Sequence, residues 1–255
     1  MKLLCSDYDG TLLINDKISE EDIKAIEAFR NKGNKFAIVT GRTYGVIIDE
    51  LNDYMLSYDY LICNSGASIV KENTFIKSFV DIDVAKNIAK YFKTSDVMVY
   101  GLSNGIDISR YSKAKLDFKL YAKSRREELS EEFILDQGEV CGFYSIFKDK
   151  ADMMKTAQHL KENFENDIEV LISSDRSIDI SPRGVTKSSS INYIGKNNEF
   201  KSIYTIGDSL NDLDMIKSFQ GFAMASGNQE LRKYTLHVVN NLHECIERIN
   251  NGGIQ

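Results

Sequence analysis

The chain is short of the features that mark secreted, membrane-spanning and zinc-knuckle proteins. Its four cysteines, Cys5, Cys63, Cys141 and Cys245, are scattered over 255 residues with no C-x-x-C pair. That spacing argues against a disulfide framework or a metal knuckle. Three of them lie in apolar strand-like runs and read as small buried hydrophobes of a reducing cytosol. The three histidines, His159, His237 and His243, show no ligand spacing and read as structural or exposed. No apolar run approaches the roughly 18 residues that a membrane-spanning helix needs. The opening "MKLLCSDYDG" meets an acid at Asp7, before the apolar stretch of a signal peptide could form, so a cytoplasmic location is expected. Positive charge is in deficit, with 32 Lys and Arg against 38 Asp and Glu and a net charge of -6. This disfavours nucleic acid or an anionic membrane as the main partner. Internal repeats and low-complexity segments are absent, and Pro182 is the only proline.

What is present is an ordinary globular composition, 42% hydrophobic and 27% charged, long enough for one large domain or two modest ones. Three near-continuous apolar runs, "KLLCSDY", "KFAIVT" and "YLICNSG", are separated by helical patterns over 19–33 and 44–56. Ser19 is placed to cap the first helix and Gly33 to end it. Runs without polar alternation, spaced by helices, predict a parallel sheet covered on both faces. The pattern resumes after residue 187 with "SIYTIGD", "GFAMA" and "LHVVN" as strands and helices over 210–219 and 228–235. Between the two halves the character changes to α+β. A helix is expected over 84–92, then a strand "DVMVYGL", a mixed charged stretch, a strand "VCGFYSIF", a helix over 150–164 and an antiparallel hairpin of "IEVLIS" and "SIDIS". The expected fold is therefore α/β, a doubly wound parallel sheet built from 1–81 and 183–255, interrupted by an α+β insert over 82–182. The basic run 113–126 within that insert reads as a solvated face, with its tyrosines and Arg110 bordering a ligand pocket as the alternative.

In an open parallel sheet, ligands bind outside the carboxyl ends of the strands. Four polar clusters follow strand ends or open the second half: Asp7, Asp9, Gly10 and Thr11; Thr40, Gly41 and Arg42; Asn64, Ser65 and Gly66; and Gly207, Asp208, Ser209, Asn211 and Asp212. Lys187 lies just before the sheet resumes. On an extended chain Asp7 and Asp9, two residues apart, project to one side. Three carboxylates, Asp7, Asp9 and Asp208, converging on a point need a hard cation, and an all-oxygen set selects Mg²⁺. Thr40 with the Gly41 backbone offers an anion cradle at a helix entrance, and Lys187 supplies a compact positive charge. These parts together amount to phosphoryl transfer through an aspartyl-phosphate.

"DYDGT", "VTGR", Lys187 and "GDSLND", in this order, resemble the four motifs of the haloacid dehalogenase superfamily. The tail "GFAMASGNQELRKYT" is similar to the stretch that follows the last motif in the Cof-type branch, and the insert has the place and length of that branch's C2-type (IIB) cap on a Rossmann-like core. The resemblance implies that Asp7 is the nucleophile and a Mg²⁺ ligand. It implies that Asp9 is the general acid and base, ligating the metal through its backbone carbonyl, and that Asp208 is the third protein ligand with Asp212 in support. Thr40, Gly41 and Lys187 would hold the phosphoryl oxygens, and Asn211 would orient Lys187 or the phosphate. Arg42 is expected to pair with a carboxylate. "NSGA" stands where the branch has N-G-A, which leaves open whether Asn64 or Ser65 faces the phosphate, and "AMASGNQ" departs from A-M-G-N-A. Arg176 and Asp179, in the hairpin nearest the return to the sheet, are candidates to face substrate.

The implied activity is hydrolysis of small phosphate monoesters, sugar phosphates first and a cofactor phosphate such as pyridoxal phosphate or a flavin precursor second, with a small phosphorylated metabolite as the partner. Two rivals are a phosphohexomutase sharing the site and a non-catalytic phosphate-binding regulatory module. The latter needs neither an acid at Asp9 nor a lid of this size.

Overall fold

A computed structural model describes residues 1–113 and 127–252. The run 114–126, most of the basic stretch noted above, lies outside the described residues. The chain opens with β1 (Lys2–Asp7), α1 (Glu20–Asn31), β2 (Lys35–Val39), α2 (Tyr44–Asp53) and β3 (Tyr60–Cys63). Ser19 caps α1 as expected, its hydroxyl accepting from the Asp22 backbone N–H at 3.0 Å. Two short strands follow, β4 (Ser68–Lys71) and β5 (Thr74–Lys77). These strands were not anticipated. Each has four residues, too few for an alternation to register, and their turn holds Glu72 in the left-handed region at φ 54°.

Next come α3 (Ile82–Thr94), β6 (Val97–Ser103), β7 (Tyr111–Ser112), α4 (Glu131–Gln137), β8 (Gly142–Phe147), α5 (Lys150–Phe164), β9 (Ile168–Ser174) and β10 (Ser177–Pro182). The chain then closes with α6 (Lys187–Lys196), β11 (Ser202–Gly207), α7 (Leu213–Ser218), β12 (Gln220–Met224), α8 (Gln229–Arg232), β13 (His237–Val239) and α9 (Leu242–Asn250). The expected helix over 210–219 is split. Its first turn is a tight 3₁₀ turn over Leu210–Asp212, and α8 is only four residues long.

Two sheets result. One has eight strands in the order β13-β12-β11-β1-β2-β3-β4-β5, and the other has five in the order β7-β6-β8-β10-β9. In the larger sheet, β1 pairs in parallel with both β11 and β2, while β4 and β5 extend the edge antiparallel. Both faces are covered, as the apolar runs required. Leu4, Ile38 and Leu61 pack with residues of α1, α2 and α9, while their alternates Leu3, Cys5, Ala37 and Val39 pack against α6 and α7. Period-two alternation thus splits apolar residues between two cores, which is why the sequence shows no polar face.

The five-stranded sheet has a separate core. Tyr100, Leu102, Phe143, Phe147, Ile178 and Ile180 pack against α3 and α5. All four cysteines are free and buried, and the histidines serve packing. His243 donates its backbone N–H to Asp22 at 2.7 Å, and His159 stacks on Tyr91 with ring centroids 4.0 Å apart. Among the described residues no helix is long and apolar enough to cross a membrane.

Candidate active site

Parallel pairing puts the exits of three strands in one row. Asp7, the last residue of β1, lies opposite Val39 of β2, just before Thr40 and Gly41, and Ser6 lies opposite Ile206, two residues before Asp208. Residues from both ends of the chain therefore meet at one edge because their strands are hydrogen-bonded neighbours.

Lys187 is the centre of the arrangement. Only 2% exposed, it places Nζ 2.6 Å from Asp7 Oδ1 and 2.6 Å from Asp212 Oδ1. It is the first residue of α6, whose start is fixed by a reciprocal box between Thr186 and Ser189. Gly66, at φ 116°, brings the loop after β3 against this start. A Cβ there would lie 2.4 Å from the Thr186 carbonyl oxygen, and the Gly66 carbonyl accepts from Ser190 Oγ at 2.6 Å. Burial alone would lower the lysine's pKa, but the two carboxylates reverse this and hold it well above its ordinary value.

Asp212 is fully buried and spoken for. Oδ1 takes Lys187, while Oδ2 accepts the backbone N–H groups of Asp208 and Ser209 at 3.0 and 3.1 Å. It positions Lys187 and the Asp208 turn. Asn211 does not hold the lysine; its carboxamide oxygen accepts from the Ser209 hydroxyl. Asp208 receives Thr11 Oγ1 at 3.0 Å, a bond that explains the threonine of "DGT". Gly10, at φ 87°, backs directly onto that carboxylate, since a Cβ would stand 2.5 Å from Asp208 Oδ2.

Asp7, Asp208 and Asp212 bring carboxylate oxygens within 4.8 Å of one another. Burial, then the neighbouring carboxylates, pushes the Asp7 pKa upward despite Lys187. The same two causes push Asp208 up to about 6. An all-oxygen cluster whose negative charge is under-compensated suits a hard divalent cation, which would reverse both shifts. Asp7 and Asp208 are the carboxylates open to it, because both oxygens of Asp212 are already committed.

Asp9 differs from the extended-chain expectation. β1 ends at Asp7 and the chain turns at Tyr8, whose carbonyl accepts from the N–H groups of Leu12 and Leu13 at 3.0 and 2.7 Å. The Asp9 carboxylate is consequently half exposed and stands outside the carboxylate cluster. Arg42 grips it with two bonds, Nε to Oδ2 at 2.9 Å and Nη2 to Oδ1, and gives Nη1 to Glu50 of α2 at 2.7 Å. Glu50 was missed in the sequence, where its only signal is its place on the helix that follows "TGR". The guanidinium also lies 4.9 Å from the centroid of the Tyr8 ring.

Thr40 is buried and uses its hydroxyl to accept from the Arg42 backbone N–H at 3.1 Å, while Gly41 is exposed at the strand exit. The two residues of "NSG" part company. Asn64 donates Nδ2 to the Gly105 carbonyl at 3.3 Å, whereas the Ser65 hydroxyl donates to Asp179 Oδ2 at 3.1 Å. Both adopt left-handed backbone conformations, at φ 52° and 54°. The five-stranded sheet thus sits directly over the edge that carries the clusters. Asp179, facing Gly41 and Ser65, has its pKa pushed up to about 6 by burial, against the hydrogen bond from Ser65. Arg176 is exposed in the β9–β10 turn; it lines a cavity shared with Tyr144, Ser173 and Asp179 but not the one that Asp179 shares with Gly41 and Ser65. That cavity, of about 200 Å³, is bounded by Gly41, Arg42 and Ser65 on one side and by Arg110, Tyr144 and Asp179 on the other.

Comparison with known proteins accords with this geometry. Residues 4–245 match the model of the haloacid dehalogenase-like hydrolase family. A 5-amino-6-(5-phospho-D-ribitylamino)uracil phosphatase of Bacillus subtilis is 28% identical over 240 residues, covering 92% of this chain and 88% of that protein. A phosphomannomutase of Babesia bovis is 24% identical over 200 residues, covering 76% and 79%. A solved subclass IIB sugar phosphatase of the superfamily superposes with a TM-score of 0.82 at 22% identity over all of both chains. The chain belongs to the haloacid dehalogenase-like hydrolase family and is one of its phosphatase-type enzymes.

Proposed function

We propose that the protein hydrolyses small phosphate monoesters, sugar phosphates and cofactor phosphates being the classes in view, through an aspartyl-phosphate on Asp7. The observation that carries this reading is the Lys187 contact to Asp7 at 2.6 Å. It leaves a buried carboxylate beside a fixed cation and at the edge of an oxygen cluster. Asp7 attacks phosphorus, and a bond forms between its carboxylate oxygen and phosphorus as the ester P–O bond breaks. Asp9 gives its proton to the leaving oxygen, then takes one from the water that attacks the phosphorylated Asp7 and releases inorganic phosphate. To do so it must leave Arg42, which retains Glu50 as its partner. Thr40, Gly41 and Lys187 receive the phosphoryl oxygens. The Asp7 and Asp208 carboxylates, with the Asp9 carbonyl, fit Mg²⁺, which when bound supplies positive charge to the phosphoryl group. Residues 82–182 act as the cap and 1–81 with 183–255 as the catalytic core, the cap excluding water and selecting the leaving group.

Asp7→Asn tests the mechanism. Turnover of an aryl phosphate with Mg²⁺ falls by at least about a thousandfold while the circular-dichroism spectrum is unchanged, and activity near wild type would overturn it. Release of inorganic phosphate, rather than return of the phosphoryl group to a hexose, separates this reading from a mutase.

A further inference from the structure

The turn after β3 is strained and braced on every side. Asn64 and Ser65 are consecutive non-glycine residues in the left-handed region, at φ 52° and 54°. L-residues adopt that conformation at a cost, and it persists where the surroundings over-determine it. Both backbone N–H groups are given to the loop after β2, Asn64 to the Arg42 carbonyl at 2.9 Å and Ser65 to the Thr40 carbonyl at 3.0 Å. The turn is thereby fixed to the segment that carries Thr40 and Gly41. Its three residues then make three further contacts. Asn64 Nδ2 donates to the Gly105 carbonyl at 3.3 Å and Ser65 Oγ to Asp179 Oδ2 at 3.1 Å, both in the insert. Gly66 accepts from Ser190 Oγ of α6 at 2.6 Å, and its bare Cα lies against the carbonyl of Thr186, the residue before Lys187. The serine by which "NSGA" differs from N-G-A is the residue that reaches Asp179.

The insert loop that Asn64 meets is folded on itself. In "SNGID", 103–107, Gly105 donates its N–H to Ser103 Oγ at 2.9 Å, and Asn104 Oδ1 accepts from the N–H groups of Ile106 and Asp107 at 3.1 and 2.8 Å. Gly105, at φ 93°, is required there, since a Cβ would stand 2.9 Å from Cys141 Sγ. With these N–H groups used inside the loop, three successive carbonyls are left to meet donors outside the insert. Asn104 takes Lys77 Nζ at 3.1 Å, Gly105 takes Asn64, and Ile106 takes the Gly45 N–H of α2 at 2.8 Å. Of these three donors, Asn64 alone belongs to the turn. Ser103, Ile108 and Arg110, on either side of the loop's tip, line the cavity together with Asp179. A group seated in that cavity therefore bears on both insert residues that the turn holds.

Resting on the phosphatase reading above, we propose that the Asn64–Ser65–Gly66 turn couples docking of the insert to the reaction centre, with Asn64 and Ser65 as positioning residues. Neither touches phosphorus or the leaving oxygen. With Gly105 and Asp179 in place, the left-handed turn is supported on its insert side. It then holds the Thr40–Arg42 segment through two backbone bonds and the start of α6, with Lys187, through Gly66. When the insert lifts, both side-chain bonds are lost, and the phosphoryl cradle and the lysine relax together. The site is thus fully assembled only when the leaving group is enclosed. What carries the coupling is contiguity, one three-residue turn touching the insert loop, the insert sheet, the cradle and α6.

Glycine takes the left-handed backbone without strain, so Asn64→Gly and Ser65→Gly each delete a side-chain contact while the turn can still form. Lys77→Met is the control, because it removes a contact to the same insert loop that bypasses the turn. The readouts are kcat for acetyl phosphate, whose small leaving group makes little use of the insert, inhibition by orthovanadate with Mg²⁺, and hydrogen exchange of 104–108 and 186–191, which is independent of turnover. In Asn64→Gly, acetyl phosphate kcat and vanadate affinity are each expected to fall roughly tenfold, and exchange quickens in both segments. Ser65→Gly lowers the same two quantities and quickens 186–191. Lys77→Met quickens 104–108 alone and leaves acetyl phosphate kcat within about twofold of wild type. If Asn64→Gly quickens 104–108 alone, with acetyl phosphate turnover and vanadate affinity unchanged, the turn serves docking only; the coupling is overturned and the phosphatase reading stands. An effect of Lys77→Met on acetyl phosphate as large as that of Asn64→Gly also overturns it. A wild-type protein that neither turns over acetyl phosphate nor binds vanadate overturns the phosphatase reading, and faster exchange of both segments in Asn64→Gly then still supports the link between insert and α6.

Discussion

Lys187 and Asp7 are separated by 180 residues of chain and by 2.6 Å between Nζ and Oδ1. With Asp212 at the same distance, the lysine closes a buried triad in which one cation faces two carboxylates. Such a group resists substitution of any single member, because a lost partner leaves an uncompensated buried charge.

Lys187→Met removes the cation while keeping most of the side-chain volume. Asp7 and Asp212 then face each other unpaired, and a loss of about 3–5 kcal/mol is expected. Thermal unfolding monitored by circular dichroism checks this, with a drop of roughly 10 °C for a chain of this size. An unchanged melting temperature would show that the triad contributes little.

Gly10→Ala forces a Cβ to within 2.5 Å of Asp208 Oδ2 at a backbone φ of 87°. Displacing that carboxylate weakens metal binding, so the Mg²⁺ concentration for half-maximal activity rises about tenfold. Gly33→Ala is the control, since Gly33 has a similar φ of 78° with nothing within 4 Å of its Cβ position. It carries the conformational strain alone and leaves the Mg²⁺ requirement in place.

Asp179 gives a pH dependence. Burial raises its pKa from the ordinary carboxylate value to about 6. The folded state therefore binds this proton more tightly than the unfolded chain. The resulting stabilisation is complete below roughly pH 4 and is lost as the pH rises through about 6. Asp179→Asn, which cannot ionise, should melt higher than wild type near pH 8, with the difference vanishing near pH 4. Melting curves across that range measure it, and an equal difference at both ends would show that ionisation is not the cause.

Much of the core and of the site was legible because both rest on local signals. The unbroken apolar runs of β1, β2 and β3 report burial on two faces, and the polar clusters at their exits mark the ligand edge. The β4–β5 hairpin was not legible, since four-residue strands at a sheet edge take their stability from pairing with β3. Glu50 was missed for a similar reason. An acid on an amphipathic helix is ordinary until an arginine from another element is found 2.7 Å away.

By itself the sequence determined the chemistry on offer: which acids, lysine and glycines follow which strands, and so the family and its class of reaction. Only the tertiary structure decided how those groups are divided. It committed both oxygens of Asp212 to Lys187 and the Asp208 turn, tied Asp9 to Arg42, and set Ser65 rather than Asn64 against Asp179. Strand patterns are set by neighbours along the chain. Which of two adjacent carboxylates is buried, and which of two adjacent polar residues meets Asp179, depends on turns and on elements more than a hundred residues away, whose contacts leave no periodic trace.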